Sequence, residues 1–326
     1  MSRAAALAST TVLALTAATG CVTVHGEREL LPSATRAEAA RALADFTTAY
    51  NEADKAFDPA LDRDRVTGAL GAINQAGLRA RSVTTPGGNR QHRPLELTDA
   101  EFAIPRKAGW PRWFFANADS NRDTDRGAGD NRWAMVFVKT AAAQPWKVAY
   151  LTILEPDEIP AFATDAQGYA VPVAPDSGLL AVEPGNLSEE YAGYLRDGKP
   201  DHFKAGQHTT RWREDRRKQA VRPGLATQYV DQALDTGAFA PLGLMTRDGG
   251  GFVFFATRYY DRQTAARGYR PKVSQDVRAL MTGEVTNTLT KEWVSNQTVW
   301  VKPAGAAKDA VDIVGRLQGV VGASGS

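Results

Sequence analysis

The distribution of proline most constrains how this chain can fold. Five prolines fall within residues 156–185, at positions 156, 160, 172, 175 and 184. Because proline lacks a backbone N–H and clashes with the preceding helical turn, this spacing leaves no room for a long helix. The chain has 326 residues, enough for two domains of ordinary size. We therefore predict an irregular linker over 156–185, between an N-terminal module at 35–155 and a C-terminal module at 186–321.

Apolar periodicity in the N-terminal module predicts helices followed by strands. Between Ala39 and Phe57, apolar residues recur at alternating spacings of four and three, which predicts a helix from Thr35 to Asp58. A second helix follows, with Val66, Leu70 and Ile73 on one face. Aromatic and β-branched runs then predict strands over 113–116, 133–139 and 146–154.

Helices again precede strands in the C-terminal module. Asn186 can cap a helix, and a polar helical stretch is predicted over 207–220. Apolar runs predict strands over 225–230, 242–246, 252–260, 273–281 and 294–301. A final helix is predicted over 307–320, from the apolar residues along one face.

The two modules also share a short sequence. Phe-Phe-Ala occurs at 114–116 and again at 254–256, each time within a predicted sheet. This favours a tandem duplication, although aromatic strands are common enough for the tripeptides to coincide by chance. The predicted fold class is α+β, with two tandem modules that each pack helices on a curved antiparallel sheet.

Helices packed on such a sheet resemble the cystatin-like or NTF2-like architecture. The resemblance implies a cone, which can enclose an apolar pocket. The same aromatic residues could line that pocket or simply fill the core. They are Trp113, Phe115, Trp133, Phe137, Phe252 and Phe254.

Residues 1–20 have the layout of a secretory signal peptide. Arg3 gives a positive start, and the 17 residues from Ala4 to Gly20 carry no charge. A bilayer span usually needs about 20 residues, so this stretch is short for one. The only cysteine of the chain, Cys21, follows directly. The alternative is a plain secretory signal, or an uncleaved anchor, beside which Cys21 is incidental.

The sequence Ala18-Thr19-Gly20-Cys21 resembles the lipobox of bacterial lipoproteins, with Ala18 where that motif usually has leucine. The resemblance implies that residues 1–20 are a lipoprotein signal peptide, that the Cys21 sulfur is the lipidation site, and that 21–34 is a tether. Two or three acyl chains hold a folded domain stably on a membrane. The implied location is the extracytoplasmic face of the cell membrane.

The whole chain resembles uncharacterised secreted lipoproteins of high-GC actinobacteria. The residues that carry this resemblance are the lipobox, the run Phe46-Thr47-Thr48-Ala49-Tyr50-Asn51 and the aromatic strands that end at Leu154. No established activity accompanies the resemblance.

A candidate calcium loop lies between two predicted strands. Positions 1, 3, 5 and 12 of an EF-hand loop supply oxygen ligands, and here they are Asp119, Asn121, Asp123 and Asp130. Thr124 stands where the sharp turn needs glycine, and Arg122 and Arg126 offset part of the negative charge. A solvated hairpin loop is the alternative to a Ca²⁺ site. No other cofactor is expected.

The charge balance narrows the choice of partners. The chain has 39 Lys+Arg against 37 Asp+Glu, a net charge of +2, which argues against a nucleic-acid partner. The basic run Arg211–Lys218 could rest on anionic headgroups beside the lipid anchor. It could equally be a solvated helix face with internal ion pairs.

The sequence contains no GxSxG, Walker A, GxGxxG or HExxH motif. We therefore expect a non-enzymatic binding or scaffolding role in the cell envelope, with an envelope component or a protein as partner. The alternative is a small-ligand carrier, or an envelope enzyme, that uses a cone-shaped pocket.

Overall fold

The computed structural model describes residues 29–124, 127 and 129–326. After a short strand β1 (Leu31–Pro32), helix α1 spans Arg36–Ala56. Thr35 caps α1 because its Oγ1 accepts the Glu38 amide at 3.1 Å, while a Glu38 carboxylate oxygen accepts the Thr35 amide at 2.7 Å. The helix ends at Phe57, whose φ is +52°. The prediction of a helix from Thr35 to Asp58 is confirmed.

The rest of the first half is a second helix and a small sheet. Helix α2 covers Gly68–Thr84. Strand β3 pairs with β1, and the other four strands form an antiparallel sheet in the order β2-β4-β5-β6. The strands are β2 (Leu97–Ala103), β3 (Arg106–Lys107), β4 (Arg112–Ser120), β5 (Arg132–Lys139) and β6 (Lys147–Leu154).

Residues 156–185 contain two 3₁₀ turns, Pro156–Glu158 and Pro184–Asn186, and no longer helix. Part of this segment pairs with and packs against the second half of the chain. Strand β7 (Pro172–Val173) pairs with a strand of the C-terminal sheet, and Phe162 packs on Phe115 and Phe252 with ring centroids 5.3 and 5.9 Å away. The proline-rich segment therefore joins the core, and the division into two modules stays a prediction.

The second half is dominated by one long curled sheet. Its strand order is β12-β14-β13-β11-β10-β7, and β9 also pairs with β11. A five-residue π-helical turn, Gln207–Arg211, leads into α4. The helices are α3 (Leu187–Asp197), α4 (Trp212–Ala220) and α5 (Gln275–Ala279). The strands are β8 (Val221–Arg222), β9 (Leu225–Leu234), β10 (Leu242–Met245), β11 (Gly251–Ala265), β12 (Met281–Thr282), β13 (Thr288–Val301) and β14 (Val311–Gly325).

Two predictions in the second half are wrong. Most of the strand predicted over 273–281 is the short helix α5, which Ser274 caps through its hydroxyl. The helix predicted over 307–320 is strand β14, paired antiparallel with β13 along its length. Valine, isoleucine and glycine are poor helix formers, and pairing with a neighbouring strand outweighs the apolar stripe that suggested a helix.

The two sheets pack against each other. Phe115 and Tyr150 of the small sheet share a buried cluster with Phe252 and Phe254 of the large one. The hydroxyls of Thr152 and Thr298 lie 2.7 Å apart within this interface. The fold is α+β with a curled sheet, as predicted, and it has few helices; a repeat of two cone-shaped modules is not confirmed.

Candidate functional site between the two sheets

A sizeable cavity lies between the two sheets. We call it the inter-sheet cleft, and its volume is about 690 Å³. One wall comes from α1, α2, β5 and β6, and the other from α5, β13 and β14. Small-molecule sites usually measure about 300–1,000 Å³ and form where structural units meet, so the cleft has the size and position of a binding site.

Aromatic side chains line both walls of the inter-sheet cleft. On the N-terminal side, Tyr50 and Trp133 meet edge to face, with ring centroids 5.9 Å apart. On the C-terminal side, Trp293 stacks on Tyr259 at 5.5 Å and an angle of 7°. These mutual contacts fix the ring planes, so the aromatic surface is preorganised.

A hydrogen-bonded cluster lies beside Trp293. Asp261 accepts the Trp293 indole N–H at 2.8 Å and pairs with the Lys291 ammonium at 3.0 Å. The ammonium also lies 5.4 Å from the Trp293 ring centroid, within cation–π range. Burial raises the pKa of Asp261, and the Lys291 charge offsets only part of that effect. The pair places a cation at the cleft, and turning Lys291 away would leave the buried Asp261 carboxylate without its charge partner.

A second buried carboxylate lies next to α2. Asp62 is fully buried and accepts the side-chain amides of Asn74 and Gln75, each at 2.5 Å. Burial raises its pKa to about 6, because two amide donors do not replace the lost water. Asn74 lines the cleft, so this hydrogen bond fixes the orientation of a polar group that a ligand can reach.

Two glycines shape the cleft in different ways. Gly77 faces the cleft on α2, and a Cβ added there would meet no atom within 4 Å. Opposite it, a Cβ at Gly319 would come within 2.7 Å of Ile73, so glycine allows β14 to approach α2 closely. Helix α5 closes the side, where the Thr84 hydroxyl donates to Asp276 at 3.3 Å.

The six aromatics considered as pocket residues belong mainly to the packed core. Trp113, Phe115, Trp133, Phe137, Phe252 and Phe254 are all buried. Of these six, Trp133 is the one that lines the inter-sheet cleft. The space under α1 is packed by Phe46, Phe114 and Phe137, so the predicted cone is filled.

Three of the four predicted calcium ligands come together. Carboxylate oxygens of Asp119, Asp123 and Asp130 lie within 4.8 Å of one another. Asn121 is engaged elsewhere, because its Oδ1 accepts the Glu96 amide at 3.0 Å and its Nδ2 donates to Pro94. Ca²⁺ prefers six to eight oxygens, so three carboxylates would need backbone oxygens and waters as well. Calcium binding stays a prediction.

The basic run of α4 is partly internal. Arg216 is buried, and its Nη1 lies 2.8 Å from both Asp231 carboxylate oxygens. Its guanidinium carbon also lies 4.5 Å from the Tyr259 ring centroid and 4.9 Å from that of Trp212. Glu214 pairs with Lys218 on the exposed side at 3.0 Å. One arginine of the run therefore belongs to the core, and contact of the others with lipid is untested.

Comparison with known proteins gives a family for this architecture. Residues 30–325 match the family described as Domain of unknown function (DUF8094). The chain belongs to the DUF8094 family. The match includes both sheets and the cleft between them.

Relatives of this DUF8094 chain are named as lipoproteins. The chain is 50% identical to an uncharacterized lipoprotein of Streptomyces coelicolor over 98% of its own length and 94% of the relative's. It is 49% identical to an uncharacterized lipoprotein of Streptomyces avermitilis, over 99% and 95%. A second S. coelicolor lipoprotein is 26% identical, over 89% and 85%. These matches confirm the resemblance to uncharacterised actinobacterial lipoproteins. No solved structure matches significantly.

The anchor itself falls outside the part of this DUF8094 chain that the structure describes. Cys21, the predicted signal peptide and most of the predicted tether precede residue 29. Within the described ranges, no helix has the length and apolarity required to span a bilayer. Lipoprotein relatives over almost the full length support a lipid-anchored protein.

Sequence reasoning missed the residues of the inter-sheet cleft. Asp261 and Lys291 are directly opposed on β11 and β13, but that register follows from strand pairing between distant segments. The available signal was a charged residue beside each apolar run, since Asp261 directly follows the predicted strand 252–260 and Lys291 lies three residues before the predicted strand 294–301. Gly319 was placed on a helix that does not form, so its close approach to α2 could not be anticipated.

Proposed function

We propose that this protein is a lipid-anchored binding protein of the extracytoplasmic membrane face, and that the inter-sheet cleft is its ligand site. The observation that carries this proposal is a cleft of about 690 Å³ with its aromatic and polar groups already fixed by their neighbours. Preorganised groups bind without a large ordering cost. The role is binding or scaffolding within the cell envelope, without catalysis.

The lining favours an amphipathic ligand. Trp293 and Leu280 offer an apolar face, while Arg81, Lys291 and Gln318 offer polar groups along the same cleft. A sugar ring or a short polar chain with an apolar side matches this pattern, because ring C–H groups pack on aromatic faces while hydroxyls meet the polar groups.

A carrier of small molecules is the second candidate. The cleft volume lies within the range of small-molecule sites, which favours it. The space under α1 is filled by side chains, which argues against a carrier whose ligand lies in a cone-shaped pocket there. A single experiment can separate a small carried ligand from an envelope polymer or protein.

The test is photo-crosslinking from inside the cleft. Cys21 is the only cysteine, so in the acylated protein a Gly77→Cys variant presents a single free thiol, to which benzophenone maleimide is attached. Gly178→Cys is the matched control, because a Cβ there also meets no atom within 4 Å but lies outside the cleft. The labelled proteins are irradiated with isolated cell envelopes and the adducts are identified by mass spectrometry.

We expect an adduct at position 77 that is absent at position 178. A glycan or protein adduct supports the binding role, and an adduct of a few hundred daltons supports the carrier. Equal labelling from both positions would remove the cleft as the ligand site.

A further inference from the structure

The chain enters the described fold beside an exposed apolar surface. Leu30 is 51% exposed, and Leu31 and Trp110 are each 40% exposed. Leu31 pairs with Lys107 in the β1–β3 ladder, and Trp110 lies in the loop from β3 to β4. We call these residues, with the cations around them, the entry surface.

Cations surround the apolar residues of the entry surface. The Arg106 guanidinium donates to the Leu30 carbonyl at 2.8 Å, which fixes the chain as it enters. The Arg112 guanidinium carbon lies 4.8 Å from the Trp110 ring centroid, and the Lys139 ammonium 6.0 Å from it. With Lys107 the entry surface has four cations. This arrangement holds the indole at the surface, flanked by positive charge.

Carboxylates offset part of this charge. Asp165 lies 3.7 Å from Arg106, and Glu29 adjoins Leu30 in the chain. Glu38 is near Arg112 and Lys139, although the capping bond to Thr35 is the main cause of its lowered pKa. The excess positive charge is therefore small, and the apolar side chains would supply most of any attraction to a lipid surface.

The length of chain between the predicted anchor and this surface limits their separation. Glu29 is eight residue steps from Cys21 along the chain, and even fully extended these steps reach at most about 28 Å. An acylated Cys21 would keep the entry surface within that distance of the headgroups, whereas no comparable constraint holds the α4 run near lipid. A short tether raises the effective concentration of the bilayer at the surface where the chain enters.

We propose that the entry surface seats the protein directly on an anionic phospholipid bilayer. Trp110 lies at the headgroup level, where indole is favoured, and Leu30 and Leu31 enter the acyl boundary. The four cations face the anionic headgroups. The folded domain then has a defined orientation on the membrane. The tether argument rests on the lipid anchor of the proposed function, but the surface chemistry does not.

The first test measures binding without the acyl chain. The mature chain with Cys21→Ser is sedimented with phosphatidylglycerol vesicles. The bound and free fractions give its partition coefficient between vesicle and water. We expect Trp110→Ala to lower the partition coefficient at least about tenfold, because it removes the largest inserted side chain. The double variant K107Q/K139Q keeps the indole, and we expect it to lower partition by less than Trp110→Ala does, about fivefold in total, because nearby carboxylates already offset part of the positive charge.

Two controls separate this surface from others. Trp300→Ala removes an indole of similar exposure, 36%, outside the entry surface, and should leave partition unchanged. R213Q/R217Q removes two cations from the α4 run and should also leave it unchanged. Circular dichroism melts confirm that each variant is folded.

The second test uses the acylated protein on the same vesicles. Amide hydrogen exchange should slow over 30–32 and 106–112 relative to detergent micelles, and should not change over 211–218. Equal partition of Trp110→Ala and the parent, or a loss confined to R213Q/R217Q, would overturn the proposal. Failure of the cleft to crosslink a ligand would leave both measurements unaffected, so the two proposals fail separately.

Discussion

The space under α1 and the inter-sheet cleft are built from similar residues but differ in what fills them. Under α1, Phe114 and Phe137 stack at 4.8 Å and Phe46 meets Phe137 edge to face at 6.1 Å, and all three are fully buried. In the cleft, Trp293 is partly exposed and Lys291 points an ammonium across its ring. The aromatic cluster under α1 is packed core, whereas the aromatic residues of the cleft line an open cavity.

The difference follows from the residues opposite each aromatic cluster. Helix α1 presents Phe46 and Leu43 to its sheet, which leaves no volume. Helix α2 presents Gly77 to the cleft, and β14 presents Gly319. Space for a ligand therefore arises beside Gly77, whereas Gly319 lets β14 pack closely against α2. A ligand held in the cleft would contact residues of both halves of the chain.

Removing an aromatic ring from the packed space under α1 should have the largest effect on the free energy of unfolding. Phe137→Ala removes a fully buried ring from between Phe46 and Phe114. We expect a loss of about 3–5 kcal/mol in the free energy of unfolding, from lost burial and the cavity left behind. Urea denaturation measures it. Ile153→Ala is the control at the cleft, where the side chain is 44% exposed, and should cost under about 1 kcal/mol. Equal losses would mean that the two spaces are packed alike.

The packed space under α1 could be predicted from the sequence, and the inter-sheet cleft could not. The apolar stripe and the Thr35–Glu38 capping box of α1 are local signals, and both act within four residues. The aromatic strands were equally recognisable from their composition. The cleft depends on β14 pairing with β13 and packing against α2, and a stripe of valine, leucine and glycine fits a helix or a strand equally well until its partner is known.

Two buried titratable groups, one in each half, should respond to pH in opposite directions. Asp62 ionises at about pH 6 when folded, against an ordinary value of 3.8. The folded chain therefore binds more protons than the unfolded chain between those values, and this group lowers the free energy of unfolding as the pH rises through that window.

We expect Asp62→Asn to remove a contribution on the order of 2 kcal/mol across that window. The quantity to compare is the difference in urea midpoint between the variant and the parent at pH 4 and at pH 6.5. The variant should gain stability relative to the parent as the pH rises. A constant difference would show that Asp62 ionises normally, and hence that the polar group behind α2 is solvated.

His208 should show the reverse dependence. Burial, and then the Arg316 charge, lower its pKa from 6.5 to about 4, and its Nδ1 is buried without a hydrogen-bond partner. The unfolded chain then binds more protons between pH 4 and 6.5, so this group lowers the free energy of unfolding as the pH falls.

His208→Gln should therefore gain stability relative to the parent as the pH falls from 6.5 to 4, on the order of 2 kcal/mol. The urea midpoints of the variant and the parent at pH 4 and at pH 6.5 measure this gain. The double variant of Asp62 and His208 should restore a nearly constant difference, because the two contributions oppose each other. A His208→Gln difference that follows the Asp62→Asn direction would contradict the assigned burial of the imidazole.

The smallest expected effect tests the open space at Gly77 most directly. Glycine within a helix is less stable than alanine by about 0.5–1 kcal/mol, and a Cβ at Gly77 meets nothing within 4 Å. Gly77→Ala should therefore raise the free energy of unfolding by about that amount. Gly71→Ala in the same helix is the control, because its Cβ would lie 3.3 Å from the Val66 backbone, so that crowding should offset the gain. Thermal melts of both variants measure the contrast. If Gly77→Ala instead lowered stability, the methyl group would be meeting packed atoms, and the inter-sheet cleft would be closed at the point where a ligand has to enter between the two halves.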